Sequence, residues 1–399
     1  MASPLLDLPS SFFERTKNGK PPRDFTFFVK TKNEQPPNLS KLSELLCDKR
    51  SAQDEMHISI AGKRVTGRVL CCYADRRRLV SVSFRATSEL PKLGLDARAK
   101  VPLRRWDTGY TAEVAPEGYL NSLSEIVQSI ASEFFKDRTG GGLTDAHGLI
   151  IIAGATASAK SEIGRGLIDH YLKAAVDRDN ERRPHLVTFE DPIEKFFLSH
   201  KVSAAMSPGL ILPSNCGIDY TPREKSKDVS ALKRALRDAL RQTPKVFYVG
   251  ETRDVSDWKE LIHFARSGHL VVTTAHAGSL VEAMQLPFRS LRKSSPSARN
   301  MIASTLLGVA HLHRDRVGRT PVLLPALWKR SQRAVNDLTA IGLASLVPGR
   351  ASSEQFCFGR TDLARDLLTK ASTRSAVTVS RRFGDLLMQK AIELDMRGL

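Results

Sequence analysis

Apolar and polar positions follow two different rhythms along this chain. From His57 to Arg85 they alternate in short runs, His57-Ile58-Ser59-Ile60, Thr66-Gly67-Arg68-Val69-Leu70 and Leu79-Val80-Ser81-Val82-Ser83-Phe84. A period of two buries one face of a strand and wets the other, so these runs predict a small antiparallel sheet. Residues 1–40 lack periodicity and carry Pro21-Pro22 and Pro36-Pro37, which predicts a loose arm. Residues 121–136 switch to helical spacing, with Leu123, Ile126, Val127, Ile130 and Phe134 on one stripe. The Gly140-Gly141-Gly142 triplet predicts the end of that helix and a hinge. Beyond it the apolar runs no longer alternate: Leu149–Ala153, Leu186–Phe189, Val246–Val249, Leu270–Thr273 and Val322–Leu324 are separated by helical segments. Strands buried on both faces need no polar alternation, so this texture predicts a parallel sheet covered by helices. After Pro325 the pattern predicts helices, the last over Ser380–Leu394, with Phe383, Leu386, Leu387, Ala391 and Leu394 at helical spacing. No internal repeat is visible. The expected division is an arm at 1–40, an N-terminal α+β domain at 41–119, an α/β domain at 120–325 and a helical region at 326–399.

Composition narrows this picture. With 399 residues, 41% of them hydrophobic, the chain can bury more than one core. No apolar run approaches the ~18–20 residues of a membrane span, and the first twenty residues hold no long apolar stretch. A cytoplasmic protein is expected, meeting a membrane only from the side and without a transmembrane segment. The five cysteines (47, 71, 72, 216 and 357) form neither a C-x-x-C pair nor a disulfide framework and read as reduced thiols. The net charge of +18 is spread along the chain: residues 1–120 carry 21 basic and 14 acidic groups, 121–325 carry 28 and 22, and 326–399 carry 12 and 7. That spread argues against a basic nucleic-acid-binding tail. It leaves a solubilising surface, with attraction to nucleic acid or anionic lipid as alternatives.

Candidate chemistry concentrates at the ends of the non-alternating runs. Gly148 to Ser161 reads strand, loop, Lys160-Ser161, then a helix over Glu162–Ala174. The spacing is that of G-x-x-x-x-G-K-[ST], with Ala159 in place of the second glycine and Ala157 at another position where glycine is expected. In such a loop the backbone N–H groups of Gly154, Ala155, Thr156, Ala157, Ser158 and Ala159 and of the helix N-terminus, through Glu162, cradle phosphate oxygens. Lys160 neutralises the outer phosphates and Ser161 ligates Mg²⁺. Glycine suits this loop because it accepts left-handed backbone angles, which cost any other residue about 1–2 kcal/mol.

Three further strand ends carry side chains of matching chemistry. His185–Phe189 runs into Glu190-Asp191-Pro192-Ile193-Glu194, carboxylates able to hold Mg²⁺ or polarise water, though an acidic strand end also caps helices. Val246–Val249 empties into Gly250-Glu251, an arrangement in which a carboxylate orients water. The helix expected before it, Ser230–Arg241, carries Leu232, Leu236 and Leu240 (or Ala239) on one face and Lys233, Arg237 and Arg241 on a neighbouring stripe. Leu270–Thr273 ends at Thr274-Ala275-His276, where a histidine could sense a terminal phosphate or serve only the structure. Each signal alone is ambiguous; four in a row within ~130 residues point to one nucleotide site.

These residues resemble the secretion ATPase superfamily of type II and type IV secretion and type IV pilus motors, above all its pilus retraction branch. Gly154–Ser161 resembles the Walker A loop and Thr188-Phe-Glu-Asp-Pro-Ile-Glu194 the Asp box. Ala235–Pro244 with Val249-Gly-Glu-Thr-Arg-Asp254 resembles Walker B, and Ser267–His276 the His box. The similarity covers 120–325 and is fainter in Ser380–Leu387. It implies a RecA-like P-loop NTPase core, a PAS-like N-terminal domain and a homo-hexamer that hydrolyses ATP with Mg²⁺ and works on an inner-membrane platform protein. In those terms Lys160 binds phosphates, Ser161 and Glu190 serve the metal, Glu251 is the base or water-positioner, His276 belongs to the His box, and Arg85 is the candidate ring-closing arginine. Three departures stand out: the alanines at 157 and 159, Thr243-Pro244-Lys245 where Asp-Pro-Asp is usual, and no tetracysteine zinc module. They leave a weakened or regulatory nucleotide-binding subunit, or a nucleic-acid-associated RecA-like ATPase, as alternatives to an active motor.

Overall fold

A computed structural model describes residues 7–8, 24–30, 55–60, 62–74, 79–88, 123–135, 146–178, 184–193, 197, 211–212, 220–225, 230–240, 242–290, 296–317, 320–343, 357–358, 360, 364–365 and 381–396. The expected glycine hinge at 140–142, Arg241, Glu194 and Ser380 lie outside the described residues. The chain forms two compact units, Met1–Tyr110 with Leu172–Tyr248, and Thr111–Tyr171 with Val249–Leu399.

The first unit holds a six-stranded sheet in the order β1-β3-β4-β5-β2-β8. Its strands are β1 (Asp7–Leu8), β2 (Asp24–Lys30), β3 (Glu55–Ile60), β4 (Lys63–Ala74), β5 (Leu79–Ala86) and β8 (Ile211–Leu212). β3, β4, β5 and β2 pair antiparallel, as the alternation at 57–85 predicts. Ile58, Ile60, Val65, Val82 and Phe84 are buried, the inward half of that alternation. The β3–β4 turn passes through Gly62 at φ 74, a left-handed angle that glycine adopts without strain. The stretch read as a loose arm differs: it supplies β1 and β2. Asp24-Phe-Thr-Phe-Phe-Val-Lys30 has apolar residues at both parities, so it gives no clean period of two.

The same unit holds β7 (Leu186–Phe189), β9 (Tyr220–Thr221) and β10 (Val246–Val249), with β7 between the other two and parallel to β9. Helix α3 (Leu232–Leu240) buries Leu232, Ala235, Leu236 and Ala239, while Leu240 is exposed; of the basic stripe, Lys233 and Arg237 are exposed. Arg223 and Asp238 form a buried ion pair at 3.4 Å.

The second unit is built on β6 (Gly148–Gly154), buried along its whole length. β6 runs parallel to β11 (Leu270–Ala275) on one side and to β12 (Leu306–Val317) on the other. Beyond β12 come β13 (Thr320–Lys329) and β14 (Cys357–Phe358), both antiparallel to their neighbours. The helices are α1 (Leu123–Phe134), α2 (Lys160–Arg178), α4 (Val255–Arg266), α5 (Leu280–Arg289), α6 (Pro296–Thr305), α7 (Gln332–Ile341) and α8 (Arg381–Met396). The class is the expected one, α/β, with β6 leading through a loop into α2 at the spacing of a phosphate-binding motif.

Two expectations here are corrected. Val322–Leu324 belongs to an antiparallel rather than a parallel pair, and the chain remains a strand through Pro325 to Lys329 instead of turning helical. Proline lacks an N–H, yet it is tolerated where no ladder needs one. Pro325 pairs with Leu312 on one side, and on the other β14 reaches only Leu327 and Trp328.

Two glycines let α1 close on its neighbours. A Cβ at Gly166 of α2 would stand 2.6 Å from Val127 Cγ2, and one at Gly308 of β12 would stand 2.5 Å from the Phe134 ring. α8 buries Leu387, Ala391 and Leu394 against Val322 and Leu324 of β13 and against Ala364. Among the described residues, no helix is long and apolar enough to cross a membrane.

Candidate functional site

The site grows from the C-terminal end of β6. Gly154 adopts φ 154, and a Cβ there would fall 2.5 Å from both the Leu312 carbonyl oxygen and Ser158 Oγ. The first glycine of the motif is therefore required by close approach. Ala157 and Ala159 hold φ 60 and φ 61. Both alanines keep the left-handed backbone that a glycine would supply, at about 1–2 kcal/mol each.

The loop closes on its own carbonyls. Lys160 Nζ donates to the Ala155 oxygen at 2.7 Å, Ser158 Oγ donates to the same oxygen at 2.8 Å, and Arg314 Nη1 of β12 donates to the Ala157 oxygen at 3.3 Å. Lys160 opens the nineteen-residue helix α2, so the helix's first N–H groups and positive dipole end follow directly on the loop. Burial lowers the Lys160 pKa, and the Glu251 carboxylate acts in the opposite sense. A buried ammonium, the opening N–H groups of a helix and the Ser161 hydroxyl form a donor set that fits a polyphosphate with its metal ion.

The acid side is built from the loop after β10 and the end of β11. Glu251 Oε2 accepts from Arg253 Nη2 at 2.6 Å, and Glu251 Oε1 lies 2.8 Å from His276 Nε2. Burial acts to raise the Glu251 pKa. The Arg253 hydrogen bond and charge, then His276 and Lys160, outweigh it and hold the carboxyl below its ordinary value. Gly250–Thr252 of this unit is stapled to the end of β11 by threonines. The Thr252 N–H donates to the Thr274 oxygen at 2.9 Å, Thr252 Oγ1 and Thr273 Oγ1 share a hydrogen bond of 2.6 Å, and Thr274 Oγ1 donates to the Gly250 oxygen.

After His276 the chain enters α5 through a capped turn. Ser279 Oγ accepts from the Glu282 N–H at 3.1 Å, and Glu282 Oε2 accepts from the Gly278 N–H at 2.6 Å, a reciprocal arrangement of the capping-box kind. Ala277, between His276 and that cap, has its carbonyl bonded by His311 Nε2 of β12 at 3.1 Å.

Of the residues singled out in the sequence, this unit brings together Lys160, Glu251 and His276, with Ser161 and Glu162 in the first turn of α2. Glu190 and Arg85 belong to the other unit. Glu190 follows β7 and is buried; its N–H donates to the Arg223 oxygen at 3.0 Å and its carbonyl accepts from the Lys225 N–H at 2.8 Å. Asp191-Pro192 beside it is a cis peptide. Arg85 sits on β5, in register with Asp24 of β2. Sequence reading passed over Arg253, Arg314 and His311. Arg253 stood two residues from the singled-out acid. The other two sit on β12, a strand whose alternating His311, His313 and Asp315 gave its only signal.

Residues 119–382 match the model of the type II/IV secretion system protein family. The type IV pilus ATPase PilU of Pseudomonas aeruginosa is 30% identical over 138 residues, 35% of this chain and 30% of that protein. The type IV pilus retractation ATPase PilT of the same organism is 30% identical over 169 residues, 40% of this chain and 42% of that protein. The matched stretches thus span less than half the length of these relatives. Among solved structures, the ATPase DotB of Legionella pneumophila is 15% identical with a TM-score of 0.48, covering 92% of each chain.

Proposed function

The chain belongs to the type II/IV secretion system protein family, and on that premise we propose that it is an ATP-hydrolysing motor subunit of a pilus or secretion machine. The observation that carries the reading is Glu251 bracketed by Arg253 and His276 within the field of the buried Lys160. A carboxylate held below its ordinary pKa is ionised at neutral pH and a weak base, which suits it to orient an attacking water more than to hold its proton. Lys160, with the backbone of Gly154–Ala159 and the opening of α2, would hold the phosphates. Ser161 would hold Mg²⁺, whose charge would offset that of the phosphates. His276 would keep the Glu251 carboxylate aimed, and the threonine staples would keep acid and histidine in register.

The wider reading follows the same premise. The motor core would span 120–325, with an N-terminal α+β domain at 41–119 and C-terminal helices from 326. The active form would be a homo-hexamer, with Arg85 as the candidate arginine reaching a neighbouring subunit. Its partner would be an inner-membrane platform protein, and the motor would work on the cytoplasmic face of that membrane. A second reading, a regulatory subunit with weakened nucleotide binding, is favoured by Ala157 and Ala159 at left-handed angles.

The test is Mg²⁺-dependent ATP hydrolysis by the purified full chain beside Lys160→Ala and Glu251→Gln. Turnover that both substitutions abolish supports the motor. Turnover no higher than in the two variants, at concentrations where rings form, leaves the regulatory subunit.

A further inference from the structure

We infer that His311 is a positioning residue for the His276–Glu251 pair, fixed in one tautomer by Arg360 and thereby tying the site to the C-terminal helix α8. The argument starts from the donors. The His311 side chain is buried on β12, with Nδ1 2.8 Å from Arg360 Nη2 and Nε2 3.1 Å from the Ala277 carbonyl oxygen. A guanidinium can only donate and a carbonyl can only accept. Nδ1 must therefore offer its lone pair and Nε2 must carry the proton, which makes the ring a neutral, one-way link from Arg360 to Ala277. Burial, with the Arg360 charge next, lowers its pKa to about 4, in keeping with a neutral ring.

What this link holds is the peptide that follows His276. Between β11 and the cap of α5 stand His276, Ala277, Gly278 and Ser279. Gly278 and Ser279 are fixed by Glu282, and Ala277 by His311. His276 is thus flanked by β11 on one side and by the His311 bond on the other. Its Nε2 lies 2.8 Å from the carboxylate it would aim.

The outer end of the link reaches the last helix. The Arg360 N–H donates to Asp395 Oδ1 of α8 at 2.8 Å, and the guanidinium Nη1 lies 4.0 Å from the same atom. A second clip runs alongside: Lys390 of α8 pairs with Asp315 of β12 at 3.1 Å, and Asp315 lies 3.4 Å from His313. A shift of α8 would therefore be passed through Arg360 and His311 to the turn bearing His276.

Three variants of the full chain separate positioning from mere support. His311→Gln restores a donor near the Nε2 position, His311→Asn restores only an acceptor near Nδ1, and Arg360→Met fills the volume without donating. The first measurement needs no nucleotide: long-range proton–nitrogen NMR spectra of the imidazoles at pH 7. We expect His311 as the Nε2–H tautomer in the parent, and a His276 signal that moves in His311→Asn but stays in His311→Gln. An Nδ1–H tautomer, or a His276 signal indifferent to His311→Asn, would overturn the inference.

The second arm rests on the ATPase reading above. His311→Asn and Arg360→Met should lower kcat by about 10- to 100-fold, the scale of a misplaced catalytic group. Affinity for a fluorescent ATP analogue should stay within ~3-fold, and His311→Gln should recover most of the rate. Full turnover in His311→Asn would sink the inference. An inactive parent would sink the ATPase reading and leave the spectra to decide His311. Should His311→Asn fail to melt cooperatively, Arg360→Met against His311→Gln gives the same comparison.

Discussion

The phosphate loop and the acid–histidine pocket face the same chemistry and are held by different means. In the loop, the alanines at 157 and 159 sit at left-handed angles, and the lysine turns back onto a carbonyl of its own loop. In the pocket, Glu251 has Arg253 and His276 as partners, three threonines staple Gly250–Thr252 to the end of β11, and His311 holds the next peptide. One region spends backbone strain to keep its shape, while the other is over-determined by side-chain hydrogen bonds. The contrast lies in the means of support: left-handed alanines in the loop, side-chain hydrogen bonds around Glu251.

Substitutions can break or sharpen that contrast. The largest effect is expected for Glu251→Gln, which removes proton-accepting ability while keeping shape. Turnover should fall by ~10²–10⁴-fold, the range of general-base contributions, with nucleotide affinity little changed in an equilibrium titration. Acid comes next, acting on the pocket through His311. Its unfolded form titrates near 6.5 and its folded form at about 4. Between those values the unfolded chain binds a proton that the folded chain does not. The stability His311 contributes is therefore whole above 6.5 and lost as pH falls toward 4, up to about 3 kcal/mol in total at ~1.4 kcal/mol per pH unit. Urea unfolding at pH 7 and pH 5 should show a shallower dependence in His311→Gln than in the parent.

On the loop side, Lys160→Ala should weaken binding by about 10- to 100-fold, the equivalent of the ~1.5–3 kcal/mol of a hydrogen bond to a charged group. Ala159→Gly and Ala157→Gly should each raise stability in thermal melting by at most ~1 kcal/mol, since that much strain is relieved and glycine's looser unfolded state offsets part of it. Glycine variants that melt no higher than the parent would show that the loop is not where the two regions differ. A change of the same order is expected for Thr252→Val, which removes one staple of several and should cost about 1 kcal/mol of stability by thermal melting.

Much of this was legible in the sequence, for identifiable reasons. β6, β7, β10 and β11 are mainly apolar runs buried along their length, and the candidate side chains stand at their ends, so a strand reading placed them directly. β12 escaped because His311, His313, Arg314, Asp315 and Arg316 make its second half look like a charged loop. The partners of His311 and Asp315, Arg360 and Lys390, arrive from ~50 to 80 residues further along the chain. β13 was cut short at Pro325 because sequence alone cannot say that the strand beyond it reaches only Leu327 and Trp328. β2 was taken for a tether because its apolar residues fall on both faces at once. The left-handed angles at Ala157 and Ala159, in contrast, follow from spacing alone.

Gly166 has a mechanical consequence. With a hypothetical Cβ only 2.6 Å from Val127, helices α1 and α2 have no clearance between them, and no side chain of any kind would fit there without a shift. A side chain at 166 would therefore displace α2, with Lys160 at its leading end, away from α1.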